Sequence, residues 1–246
     1  MKKRHEMIPC PAMGRKMHVW CYGHFGMPLL AFPSAAGFAH EWDAQGMIDA
    51  LSDFIYQGKL KIYCAESNVS RTWTHKEGDL DERLRQHKAY EAFIVNTLVP
   101  WIYKDCHTEN IPIAAAGCSL GGFYAANFAL KFPQIFRYSL SMSGRYNMTH
   151  FTGGVSNGEV YLNNPIAFAS NLQGKALERI KAHTQISLVC GQGAFEEGCI
   201  EETLLLGKIL QAKGIPCTLD IWGHDSRHDW NWWKRQARLH LNKTFG

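Results

Sequence analysis

No hydrophobic run in this sequence approaches the length of about 20 residues that a membrane-spanning helix needs. An export signal is not expected either, because Pro9 and Pro11 fall where the apolar stretch behind the basic start Met1-Lys2-Lys3-Arg4 would have to run. The eight cysteines form no C-x-x-C pair and no H-E-x-x-H motif occurs, so neither a metal centre nor a disulfide framework is expected. Cysteines in apolar segments read as reduced, buried thiols, which suits a cytoplasmic protein. Internal repeats, low-complexity tracts and polar linkers are missing, and residues 1–246 read as one domain. A concentrated excess of one charge is lacking too. The net charge is +4, and beyond the first four residues the basic side chains are dispersed, so a nucleic-acid partner is not expected.

What is present is the composition of a globular chain, 46% hydrophobic and 20% charged. It is organised around Ala114-Ala115-Ala116-Gly117-Cys118-Ser119-Leu120-Gly121-Gly122, which holds one serine at G-x-S-x-G spacing. Residues 111–115 before it fit a short buried strand, and Phe123 to Phe132 behind it has helical apolar spacing. Ser119 then sits at a strand-to-helix turn, a nucleophile elbow, with the small residues that such a turn requires. The Leu120 N–H lies among the unpaired donors of the new helix, where an oxyanion can be held.

Strands are expected at 18–24, at Leu29-Leu30-Ala31-Phe32, at 59–65, at 138–144, at 186–191 and at 216–222. The first belongs to an opening antiparallel edge pair. Helices are expected over 41–56, 84–101, 203–213 and the C-terminal segment, which together give an α/β fold with a mostly parallel central sheet covered by helices on both faces. Residues 145–180 lack strong periodicity and read as an irregular insertion near the site mouth. The loop Pro33-Ser34-Ala35-Ala36-Gly37 leaves a central strand and is small enough for its backbone to face a substrate oxygen. Ser34 and Ala35 are the candidate second donors.

A serine hydroxyl is a weak nucleophile, so it needs a base and a carboxylate that orients the base, in the chain order serine, acid, histidine. Glu196 and Glu197 follow the strand ending at Gly191, with Glu196 the first candidate acid. Among twelve histidines, His228 and His224 follow the last strand. His228 is preferred because it precedes Asp229, a good cap for the C-terminal helix, and His224 is the alternative. Trp73, Phe151, Tyr161 and Trp230 are the aromatic candidates for a substrate pocket.

The segments GCSLGGFYAANFALKFP, SLSMSG and RHDWNWW resemble the esterase family of α/β hydrolases that includes esterase D, feruloyl esterases, enterochelin esterases and the mycolyltransferases. The likeness runs from Phe32-Pro33 to Trp233 and implies an α/β-hydrolase fold, with the nucleophile at Ser119 and the base at His228. The chain has Arg227 where relatives often have glycine, and PSAAG where many have His-Gly. The expected activity is that of a serine carboxylesterase acting on a small-molecule ester through an acyl-enzyme, with no cofactor. Acyl transfer by the same triad and a non-catalytic binding protein are the alternatives. Nothing in the pattern specifies an oligomeric state.

Overall fold

The computed structural model describes residues 1–246. Two strands, β1 (Lys3–Cys10) and β2 (Arg15–Tyr22), open the chain as an antiparallel pair, and β2 continues antiparallel onto β4 (Leu60–Ala65). Beyond that edge the sheet is parallel. The order is β1-β2-β4-β3-β5-β6-β7-β8, where β3 is Met27–Phe32, β5 Ile113–Cys118, β6 Phe136–Met142, β7 Gln185–Cys190 and β8 Cys217–Ile221. Phe32 pairs with Gly117, Cys118 with Met142 and Cys190 with Ile221, so these strands end together. Their exit loops share one edge of the sheet, the place where an open parallel sheet presents a site.

The central strands are largely apolar because both faces are covered, with Lys61 of β4 a buried exception. Alternation still sorts the side chains: Leu30, Phe32 and Ala115 enter one core cluster, while Leu29, Ala31, Ala114 and Ala116 enter the other. On the second face lie α1 (Glu41–Ala44), α2 (Met47–Ala50) and α3 (Ser52–Tyr56), with the C-terminal helix. The periodicity of residues 41–56 predicts one helix. Gly46 at φ 74° breaks it after its first turn.

The first face is covered by α4 (Leu80–Phe93), α5 (Val99–Asp105) and α6 (Leu120–Lys131). The expected single helix at 84–101 is interrupted by a π-helical turn at Ile94–Leu98. Pro100 just beyond it cannot donate to an ordinary helical ladder, which accounts for the local rewinding.

Residues 145–180 are more regular than their sequence suggests. They hold a 3-10 turn at Met148–Phe151, then α7 (Gly158–Leu162), α8 (Pro165–Ser170) and the start of α9 (Gly174–His183). Asn157 and Asn164 cap α7 and α8 through their side chains, so capping supplies what apolar periodicity did not. Phe168 and Ala169 bury against Ala126 and Leu130 of α6 and against Leu206 and Leu210 of α10 (Cys199–Ala212). The chain closes with α11 (Trp230–Phe245), capped by Asp229, which accepts from the Asn231 and Trp232 N–H groups at 2.8 and 3.2 Å.

Candidate active site

Ser119 has φ 57° and ψ −126°, a sparsely populated conformation for a residue with a side chain. Such strain costs about 1–3 kcal/mol and persists where the surroundings fix it. They do so here. The Ser119 N–H donates to Met142 O at 2.9 Å, and a Cβ on Gly117 would lie 2.2 Å from the Gly121 backbone. Only paired glycines let strand and helix come that close. Gly121 also faces the neighbouring loop, since a Cβ there would sit 2.5 Å from Phe32 O and 2.7 Å from Pro33 O. The elbow and the Pro33–Gly37 loop are therefore in backbone contact, and Leu120, the first residue of α6, has an N–H with no acceptor inside the helix.

The loops after β7 and β8 are stitched together through their backbones. Gly193 N donates to Ser226 O at 2.8 Å and His228 N to Ala194 O at 3.0 Å, while a Cβ on Gly191 would collide with Ser226 O at 2.1 Å. Phe195, at φ 68°, is the left-handed residue that turns the chain. Its own ring is left exposed while the next side chain, Glu196, is driven inward to 1% exposure.

Glu196 Oε2 lies 3.0 Å from His228 Nδ1, and Glu196 Oε1 accepts from Ser143 Oγ at 2.6 Å. Ser143 Oγ in turn accepts from Trp233 Nε1 at 3.0 Å. An indole N–H can only donate, so the Ser143 hydroxyl proton is committed to the carboxylate. The Cys190 thiol donates to Glu196 Oε2 at 3.4 Å, and Trp233 packs edge-on to the His228 ring at 4.8 Å. Glu196 and His228 are thus brought together with every neighbour of the carboxylate a donor. That arrangement satisfies both oxygens of a buried carboxylate and fixes the imidazole with Nδ1 toward it.

The alternatives fall elsewhere. Glu197 is exposed, and His224 is exposed with Nδ1 3.3 Å from Gln192 O. Trp230 adjoins the histidine loop, its ring 5.3 Å from that of Trp233. Trp73, an expected pocket residue, is instead 2% exposed in the core, its ring against His87 and Phe123, because the polar loop carrying it folds over α6. Phe151 packs against the same core cluster and its carbonyl accepts from Arg83, while Tyr161 packs against the cluster around α8 and α10. Ser34 also departs from expectation. Its N–H is spent on Glu41 Oε2 at 2.6 Å, and its hydroxyl donates to Glu41 Oε1 at 2.6 Å.

Sequence reasoning missed Glu41, Ser143 and Trp233. Ser143 sits at the end of a recognised strand and Trp233 in the quoted C-terminal motif, yet pattern carries no sign that either meets Glu196. Glu196, Cys199 and His228 place one oxygen, one sulfur and one nitrogen within 4.8 Å of one another, a donor set able to hold a metal ion. Within that set Glu196 and His228 are hydrogen-bonded to each other at 3.0 Å, and burial above all, with the Glu196 charge next, pushes the Cys199 thiol up to about 12. The Cys118 thiol beside Ser119 is fully buried and its pKa is pushed far up by burial, so it stays protonated.

A mostly parallel eight-stranded sheet carrying a strained serine between strand and helix defines an α/β hydrolase. Within that class, the chain belongs to the family described as "Putative esterase", whose model matches residues 12–243, and is a carboxylic ester hydrolase. No curated protein matches it in sequence. Among solved structures it is similar to a ferulic acid esterase, at TM-score 0.75 and 15% identity over 99% of this chain and 97% of the other. It is also similar to MPT51 of Mycobacterium tuberculosis, at TM-score 0.74 and 17% identity over 99% and 97%. A third is the S-formylglutathione hydrolase of Staphylococcus aureus, at TM-score 0.73 and 11% identity over 100% of both chains. At these identities the likeness is one of fold. No helix of the protein is long and apolar enough to cross a membrane.

Proposed function

We propose that the protein is a serine carboxylesterase in which Ser119 is the nucleophile, His228 the base and Glu196 the orienting acid. The observation that carries this reading is the 3.0 Å contact between His228 Nδ1 and a Glu196 carboxylate surrounded by donors, on the same sheet edge as the strained Ser119. His228 Nε2 takes the Ser119 proton as Oγ attacks the ester carbonyl, then gives it to the leaving alkoxide. Water repeats the cycle on the acyl-enzyme, with His228 again as base. Ser119 and His228 are both partly exposed, which favours water over a second alcohol at that step and hydrolysis over acyl transfer. The chain acts as one catalytic unit on a small-molecule ester. All eight cysteines are free, and a reducing compartment such as the cytoplasm suits them.

The test is covalent labelling. A fluorophosphonate should modify the folded protein once, on the peptide carrying Ser119, and Ser119→Ala should abolish both the adduct and turnover of p-nitrophenyl acetate. An adduct on another residue, or a folded Ser119→Ala enzyme that keeps its rate, defeats the assignment.

A further inference from the structure

The loop after β3 has five residues in which to find the second donor of an oxyanion hole, and their N–H groups can be followed one by one. Pro33 has none. Ser34 N–H goes to Glu41 Oε2 at 2.6 Å, Ala36 N–H to Ser34 Oγ at 3.4 Å and Gly37 N–H to Ser34 O at 3.1 Å. Ala35 is exposed, and its N–H is the one left without an acceptor. Glu41 creates this distribution. It is 7% exposed, and its two oxygens take the Ser34 N–H and hydroxyl, each at 2.6 Å. The next residue reinforces the hold, as Trp42 Nε1 donates to Phe32 O at 3.2 Å. From the other side Gly121 lies against the Phe32 and Pro33 carbonyls.

We propose that Glu41 is the positioning residue of the oxyanion loop: by occupying the Ser34 N–H and hydroxyl it sets the turn so that Ala35, with Leu120, donates to the substrate oxyanion. This rests on the esterase reading above. A carboxylate against a loop that must stabilise negative charge is tolerable when its oxygens are engaged, as both are here with Ser34. The clamp is geometric, not a source of charge. A glutamine can reproduce it, with Oε1 accepting from the Ser34 N–H and Nε2 donating to the Ser34 hydroxyl oxygen.

Steady-state kcat and KM for p-nitrophenyl acetate, measured on folded full-length variants, test the inference. Ala35 is the first central residue of the turn closed by Gly37 N–H to Ser34 O, where the fixed φ of proline is accepted, so Ala35→Pro deletes the proposed donor and keeps the turn. It should lower kcat by about 10²–10³ with KM changed less than about threefold, the loss expected for one oxyanion donor. Glu41→Ala should lower kcat by about 10², as for a misplaced catalytic group, while Glu41→Gln should stay within about tenfold of wild type. A folded Ala35→Pro enzyme of normal kcat overturns the inference, and so does a Glu41→Gln enzyme as poor as a folded Glu41→Ala. If Glu41→Ala does not fold, the proline and glutamine variants decide. Ser119→Ala runs beside them: activity surviving in it removes the esterase reading and this inference together, whereas a dead Ser119→Ala with an active Ala35→Pro removes the loop assignment alone.

Discussion

Replacing Glu196 by glutamine changes one oxygen to an amide nitrogen, and the surrounding donors decide which way that amide turns. Trp233 Nε1 donates to Ser143 Oγ at 3.0 Å, so the Ser143 hydroxyl must donate to the residue at 196, where the contact is now 2.6 Å. The amide oxygen is therefore held at Ser143 and the NH₂ group is directed at His228 Nδ1, which must then act as acceptor. That imidazole carries its proton on Nε2 and cannot take one from Ser119. Loss of the correct tautomer costs about 10⁴ in kcat in a serine triad, equivalent to about 5.5 kcal/mol of barrier. Glu197→Gln should leave kcat within about twofold, because surface changes away from special contacts have small effects and Glu197 is exposed. The assay is p-nitrophenyl acetate turnover normalised to folded enzyme by circular dichroism. A folded Glu196→Gln enzyme retaining a tenth of wild-type kcat, or an equal loss in Glu197→Gln, would refute the reasoning.

His228→Ala should lose activity nearly as severely as Ser119→Ala, with the double variant little worse, since nucleophile and base act as a unit; His224→Ala should show a mild defect, and the reverse rank order moves the base to His224. Gly121→Ala places a Cβ 2.5 Å from Phe32 O and must push the oxyanion loop about 1 Å to regain ordinary contact, so kcat should fall by about 10²; an unchanged kcat in a folded variant shows that the loop position is not critical. His87 is fully buried, and desolvation, with the Lys131 charge second, pulls its pKa down to about 3. The unfolded chain therefore binds the proton more readily between about pH 6.5 and 3, and stability should fall as pH drops through that window by at most about 1.4 kcal/mol per pH unit. Urea unfolding at pH 7 and pH 5 measures this. His87→Gln, which can still donate toward Asn163, should have the shallower pH dependence, and equal slopes in both proteins count against the assignment.

The sequence by itself determined the elements that local chemistry specifies. Gly117, Ser119, Gly121 and Gly122 can be read from spacing because the steric demands of the turn act within a few residues. Asp229 could be read as a cap for the same reason. The chain order of serine, acid and histidine placed the site on one sheet edge, since parallel strands deliver their exits to the same side. Tertiary structure alone decided between neighbours with equal local credentials. Glu196 and Glu197 are adjacent carboxylates, and the left-handed backbone at Phe195 sends one toward His228 and leaves the other in water. Ser34 had the right position for a donor, but a residue seven places along the chain had already taken its N–H. Trp73 had the polar surroundings of a loop tryptophan, yet the pocket that receives it is built by Phe123 of α6 and His87 of α4. In each case the deciding contact spans residues that no periodicity connects, because side-chain direction and hydrogen-bond occupancy are set by the packed whole and not by the local pattern.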